Sequence, residues 1–171
     1  MFTEFSRPTD LKRQASDVGQ LISRSIQLVQ QDAANKRIDI KVNTTDDICS
    51  AWIDPDRLTQ CLLNLYLNAI QAMEDGGTLA VTCKPGEAGN FTIVVSDTGS
   101  GITGDQLDKV FDPYYTTKSK GTGLGLAIVQ KIVEAHGGDT TVRSASDKGT
   151  SFSINIPCKR EETAGEQNDN T

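Results

Sequence analysis

Asp54-Pro-Asp-Arg-Leu-Thr-Gln60-Cys-Leu-Leu-Asn64-Leu-Tyr-Leu-Asn68-Ala-Ile-Gln71-Ala-Met73 is the stretch from which the rest of the chain can be read. An Asp followed by Pro is a strong helix start: the carboxylate caps free N–H groups, and Pro is pre-set for the first helical position. The helix is expected to stop at Asp75-Gly76-Gly77. Leu58, Leu62, Leu63, Leu65, Leu67, Ala69, Ile70 and Met73 make it strongly apolar, so most of it should be buried. Gln60, Asn64, Asn68 and Gln71 nevertheless follow at spacings of four, four and three, which places them in one narrow polar stripe. Amides on a buried helix need partners. The stripe can bond neighbouring loops or face water. It can also wall a pocket whose carboxamide oxygens face a hard cation and phosphates.

Upstream of this helix, Val18, Leu21, Ile22, Ile26, Leu28 and Val29 recur at helical spacing over Val18–Gln31. Arg37–Asn43 alternates, with Ile38, Ile40 and Val42 on one face of a predicted strand. Downstream, strands are expected at Thr78–Lys84 and Phe91–Asp97, joined by a hairpin through Pro85, Gly86, Gly89 and Asn90. A Gly-, Thr-, Ser- and Lys-rich stretch follows, Gly99–Gly123, with one short helix at Asp105–Val110. A second strong helix covers Leu124–Ala135 and ends at Gly137-Gly138. Strands at Asp139–Ser144 and Ser151–Ile156 close the pattern. Helices and strands mix without strict alternation. That predicts an α+β, two-layer sandwich: a mixed β-sheet with helices packed on one face. The folded domain is set at residues 16–157, with a polar linker at 1–15 and a disordered tail at 158–171.

The 171 residues make one ordinary domain. Hydrophobic content of 36% and charged content of 23% suit a globular chain rather than a disordered one. A formal charge of -6 argues against a nucleic-acid partner met through a general basic surface. Cys49, Cys61, Cys83 and Cys158 are scattered, and His136 is the only histidine. A zinc site is therefore poorly supplied, and reduced thiols are the expected state. No apolar run approaches the roughly 18 residues a membrane span needs, so no membrane contact is expected of this segment. A cytoplasmic location is expected, with a longer parent free to carry a membrane anchor.

Three further segments carry chemistry. Asp97-Thr98-Gly99-Ser100-Gly101-Ile102 directly follows a strand. It reads as an ordinary Asp/Gly turn, or as a carboxylate set to accept hydrogen bonds where glycines let backbone approach a ligand. Gly121-Thr-Gly123-Leu-Gly125-Leu126 opens a helix. It is a flexible hinge or an anion site built on free N–H groups. No Gly-Lys-Ser/Thr follows and no strand precedes, so it is neither a Walker A loop nor a dinucleotide fingerprint. Tyr115–Lys120 just before it is a solvated loop or a mobile lid over a triphosphate. Gly149-Thr150-Ser-Phe152 says little by itself.

Taken together and in this order, the segments resemble the ATP-binding domain of sensor histidine kinases, within the gyrase, Hsp90 and MutL-type ATPase superfamily. The resemblance runs over Asp54–Pro157. Asn64–Ala72 looks like the N box, Asp97–Ile102 the G1 box, and Val110-Phe111-Asp112-Pro113-Tyr114-Tyr115 the F box. Gly121–Leu126 looks like the G2 box and Gly149–Phe152 like the last G box. Asn68–Met73, Phe111–Lys118 and Phe5-Ser-Arg-Pro8 are most similar to the nitrogen-regulatory and zinc-responsive sensor kinase group.

The resemblance implies a Bergerat-type fold with a mobile ATP lid, and ATP with Mg²⁺ as its ligands. Asn68 would hold Mg²⁺, and Asn64 would sit on the phosphate side. Asp97 would accept from the adenine amino group, over a floor shaped by Gly99, Gly101 and Ile102. Phe111 would anchor the lid; Thr122, Gly123, Leu124, Gly125 and Leu126 would wrap the phosphates; Thr150 would close the adenine end. Many relatives carry a basic residue where this chain has Gln71, so a phosphate contact passes to Lys118 or Lys120. The hydrolysing cousins carry Glu at the position of Asn64; an amide cannot take a proton from water, which favours a kinase over an ATPase. The implied partners are the phosphoacceptor and dimerisation helices of a parent kinase and a response regulator, with the isolated chain a monomer. An anti-sigma-type serine kinase and a non-catalytic nucleotide-binding regulatory module are the alternatives on the same fold. His136 ends a helix before Gly137-Gly138 and is expected to meet the helix dipole or pack locally. It is not expected to accept phosphate, so this chain alone should not phosphorylate itself.

Overall fold

A computed structural model describes residues 11–45, 50–86, 89–107, 109–112, 125–144 and 148–158. The expectations for residues 1–10, for the lid and for the tail beyond 158 fall outside these residues. In chain order the elements are β1 (Gln14–Asp17), α1 (Val18–Gln27), α2 (Gln30–Asn35), β2 (Ile38–Thr44), β3 (Ser50–Ile53) and α3 (Pro55–Ala72). They continue with β4 (Gly77–Pro85), β5 (Asn90–Asp97), α4 (Gly104–Leu107), α5 (Gly125–Ala135), β6 (Asp139–Ser144) and β7 (Thr150–Pro157).

The main sheet has five strands in the order β2-β4-β5-β7-β6. Only β2–β4 is parallel; the other pairs are antiparallel. Strict alternation explains its two faces. Leu79, Val81 and Cys83 of β4, Phe91, Ile93 and Val95 of β5, and Phe152, Ile154 and Ile156 of β7 are all buried. They join one core with Leu58, Leu62, Leu65, Tyr66, Ala69 and Ile70 of α3, Val129, Ile132 and Val133 of α5, and Val18, Leu21, Ile22 and Ile26 of α1. The opposite face carries short polar side chains, among them Thr82, Thr92, Ser96, Ser151 and Ser153, all half-buried. The helices therefore cover one face, and the α+β two-layer expectation holds.

Helix α3 starts as its first residues dictate. Asp54 Oδ1 accepts from Arg57 N at 3.1 Å, with Pro55 in the first turn. Its other end is held by a residue far upstream: Lys36 Nζ donates to the carbonyls of Ile70 and Met73, each at 3.0 Å. A cation on terminal carbonyls suits the negative end of the helix dipole. Within the core, Ser25 Oγ donates to Ile22 O at 2.8 Å and meets Tyr66 Oη at 2.9 Å. Serine has one proton, so Tyr66 is the donor in that second bond. Among the thiols, burial pushes Cys83 up to about 12 and Cys61 higher still, so both are inert small hydrophobes.

The structure adds detail to the sequence expectations at four places. The single helix predicted over Val18–Gln31 breaks after Gln27 and resumes at Gln30. Leu28, counted on its apolar face, is 63% exposed, whereas Val29 is buried. Val42 keeps the expected face but is 43% exposed, because β2 is an edge strand. Leu67 of α3 lies 38% exposed beside the polar stripe. Lastly, Gln14–Asp17 pairs antiparallel with Ser50–Ile53 as a separate two-stranded ribbon. The boundary drawn at residue 15 therefore falls inside a strand.

Candidate functional site

One member of the α3 amide stripe, Asn64, meets the start of α5. Asn64 Nδ2 donates to Gly125 O at 3.4 Å, which turns its Oδ1 away from that carbonyl. Asn68, one turn further on, is half-buried, as are Gln60 and Asn64, while Gln71 is exposed. Gly125 and Leu126 form the first turn of α5, and Leu126 packs against the core.

The loop after β5 sits on the last turn of the same helix. Asp97 ends β5, only 7% exposed, and its Oδ1 accepts from Gly99 N at 2.8 Å. A side chain on Gly99 would run into the Ala72 carbonyl, and Ser100 N donates to that carbonyl at 3.3 Å. Only glycine allows this approach. The loop is thereby fixed one turn from Asn68, so Asp97 lies toward the same end of α3 as Asn68.

On the next strand Thr150 faces Asp97 directly in the β5–β7 register. Both side chains lie on the helix-covered face, and Thr150 is 5% exposed. Cross-strand neighbours on one face have Cβ atoms about 5 Å apart. Ile102 packs against the core, and its N–H donates to Ser144 Oγ at 2.6 Å. Further along, Val110 is buried. Phe111 meets Phe152 edge to face, with ring centroids 6.0 Å apart at 80°. This pins the chain just before the expected lid.

The structure thus makes two adjoining groups on α3: Asn64 against Gly125, and, one turn beyond Asn68, the Asp97–Ser100 loop with Thr150 across from Asp97 and Ile102 joined to Thr150 through Ser144, while Phe111 packs on Phe152. Lys118, Lys120, Thr122, Gly123 and Leu124 lie outside the described residues. Two participants escaped the sequence reading. Ser144 is an unremarked serine at a strand end, and the Ala72 carbonyl is visible only once the loop is seated on it.

His136 is a structural residue. It is buried; its Nδ1 bonds Ile132 O at 2.8 Å, and its Nε2 accepts from Asp54 N at 3.1 Å. A carbonyl only accepts, so the proton sits on Nδ1 and the ring is neutral. Around it, Asp54 Oδ2 accepts from Lys12 N at 2.8 Å and Arg13 Nη2 donates to Ala135 O at 3.0 Å. These bonds join the β1 ribbon to the N-terminus of α3 and the C-terminus of α5. Burial first, then Arg13, lowers the imidazole below its usual range, against the Ile132 bond and Asp54. The unfolded chain thus binds the extra proton more readily, and stability present above the ordinary histidine value of about 6.5 is lost progressively as pH falls from there toward the lowered folded-state value. A His136→Gln variant, melted from pH 8 to 5, should lose the part of the acid slope that begins near pH 6.5. An unchanged slope would remove His136 from the acid response.

With this geometry established, the chain can be placed. Residues 53–160 match the family described as histidine kinase-, DNA gyrase B- and HSP90-like ATPase, and the chain belongs to that family. Within it, the chain is an ATPase domain of the sensor histidine kinase type. The sensor histidine kinase ZraS of Escherichia coli (strain K12) is 50% identical over 154 residues, covering 90% of this chain and 33% of ZraS. Full-length ShkA, solved in complex with AMPPNP, superposes with a TM-score of 0.82 at 28% identity, over 91% of this chain and 34% of that one. Histidine kinase ThkA, solved in complex with the response regulator protein TrrA, gives 0.74 at 26% identity, over 86% of this chain and 42% of ThkA. The chain spans about a third of the length of the ZraS kinases it matches. Among the described residues, no helix is long and apolar enough to cross a membrane.

Proposed function

We propose that this domain binds ATP with Mg²⁺ and passes the γ-phosphoryl group to a histidine on separate dimerisation helices of a longer sensor kinase, for onward transfer to a response regulator. Two adjoining contacts on α3 support the reading: Asn64 against Gly125 of α5, and the Asp97 loop seated on Ala72 one turn beyond Asn68. Asp97 supplies an acceptor for the adenine amino group, and Thr150 closes the same end. Asn64 lies toward the phosphates, where its carboxamide cannot act as a base on water.

A hard cation takes oxygen ligands and keeps several waters, and the half-buried Asn68 carboxamide fits that chemistry. When bound, Mg²⁺ would offset the negative charge of the phosphates. Gly125, to whose carbonyl Asn64 donates, brings the start of α5 beside the amide stripe, and a helix start is a favourable place for an anion. Thr122, Gly123 and Leu124 would extend that wrap, and Lys118 or Lys120 would supply the cation that Gln71 does not. The accepting imidazole is already a nucleophile: its nitrogen bonds to the γ-phosphorus as the bond to the β–γ bridging oxygen breaks and ADP leaves. The protein's part is positioning and charge.

Calorimetric titration with ATP, with and without Mg²⁺, tests this. Wild type should bind ATP, and Mg²⁺ should tighten it. Asn68→Ala should lose about tenfold or more in the presence of Mg²⁺, and little in its absence. Equal affinities of the two proteins for Mg-ATP would overturn the role given to the α3 stripe.

A further inference from the structure

Beside Thr150 lies a hydroxyl that none of the five motifs includes. Ser144 ends β6, and its Oγ meets three partners: Ile102 N at 2.6 Å, Gly149 O at 2.9 Å and Thr150 Oγ1 at 2.8 Å. A serine hydroxyl has one proton and two acceptor sites. The Ile102 amide can only donate, so it takes one acceptor site. The Gly149 carbonyl can only accept, so it takes the proton. Thr150 must therefore donate into the remaining site. Its own proton is then committed, and its oxygen offers any other group lone pairs alone.

Directly across the β5–β7 pair stands Asp97, whose carboxylate is also an acceptor. We propose that Ser144 determines base selectivity, by fixing the direction of the Thr150 hydroxyl so that the polar end of the site presents acceptors only. Such an end matches the C6 amino donor of adenine and leaves the C6 carbonyl of hypoxanthine facing lone pairs, its N1–H being the one donor on that edge. Ser144 is a positioning residue, since it acts through Thr150 and through the Ile102 backbone. The inference rests on the nucleotide-binding reading above and adds to it the residue that orders the protons.

The test compares Mg-ATP with Mg-ITP, which differ at the six position of the base and its adjoining ring nitrogen, by calorimetric titration of the whole chain. Wild type should prefer ATP. In Ser144→Ala the Thr150 hydroxyl can turn and donate, so the ratio of ITP to ATP dissociation constants should fall about tenfold. Ser144→Thr, which keeps a hydroxyl, should retain the wild-type ratio. A merely structural serine would weaken both nucleotides equally, and that result overturns the proposal. Should Ser144→Ala fail to fold by circular dichroism, Thr150→Val decides: an acceptor-only hydroxyl means ATP weakens while ITP does not, and equal weakening overturns it. Wild type that binds neither nucleotide would defeat the nucleotide reading itself. An unchanged ratio on an ATP-binding chain defeats only the role of Ser144.

Discussion

Gly149→Ala is expected to destabilise the domain by about 3 kcal/mol or more and to lower its melting temperature by roughly 6–12 °C. Gly149 has φ +84 at the residue before β7. There an L side chain is strained whatever the space around it. Space is also lacking: an added Cβ would collide with the Asp97 carbonyl oxygen and stand 3.1 Å from Thr98 Cα. Both obstacles are backbone, so no rotamer change relieves them. The strain falls on the strand end that carries Asp97 and Thr150, so ATP affinity should drop with stability. Gly104→Ala is the matched control, since a Cβ there meets nothing within 4 Å. Differential scanning calorimetry of the two variants decides the matter. A Gly149→Ala melt within a degree or two of wild type would show that the β5–β7 end is looser than its geometry indicates.

Asp97→Asn should raise the ATP dissociation constant about 100-fold or more while shifting stability by less than about 1 kcal/mol. The amide oxygen can replace Oδ1 as acceptor for Gly99 N, now 2.8 Å away, so the turn survives. The second carboxylate oxygen becomes an NH₂. If Asp97 reads the base as proposed, a donor then faces the adenine amino group, itself a donor, at a position almost fully buried. Buried polar groups left without a match are what make such sites selective. Titration of the variant beside a thermal melt separates lost binding from lost fold. Affinity within about threefold of wild type would mean that Asp97 holds the loop and does not read the base.

These two positions differ in how much of their role could be read in advance. Asp97 follows a clean alternating run and precedes two glycines, so its place at a strand end was legible. Gly149 looked like any turn glycine, because the carbonyl that excludes a side chain belongs to a strand some fifty residues earlier in the chain, here Asp97. The same division runs through the elements. The Asp54-Pro55 start of α3 was legible because a cap is a local bond, from Arg57 N to Asp54. The break at Leu28 was not, since six apolar residues at helical spacing give no hint that two short helices will replace one.

Local chemistry alone therefore determined the main helices, the alternation of the strands, the α+β layering and the residue types offered to a nucleotide. Those properties depend on neighbours within a turn or two, which a linear reading contains. Tertiary structure alone decided the β1–β3 ribbon, the Lys36 cap on α3, the burial of His136 and the three-way bond at Ser144. Each depends on at least one contact between distant residues, such as Lys12 with Asp54 across 42 positions, Arg13 with Ala135 across 122 and Ile102 with Ser144 across 42. Four-residue strands carry too little periodicity to declare themselves, and a serine's proton has no direction until its three partners are in place.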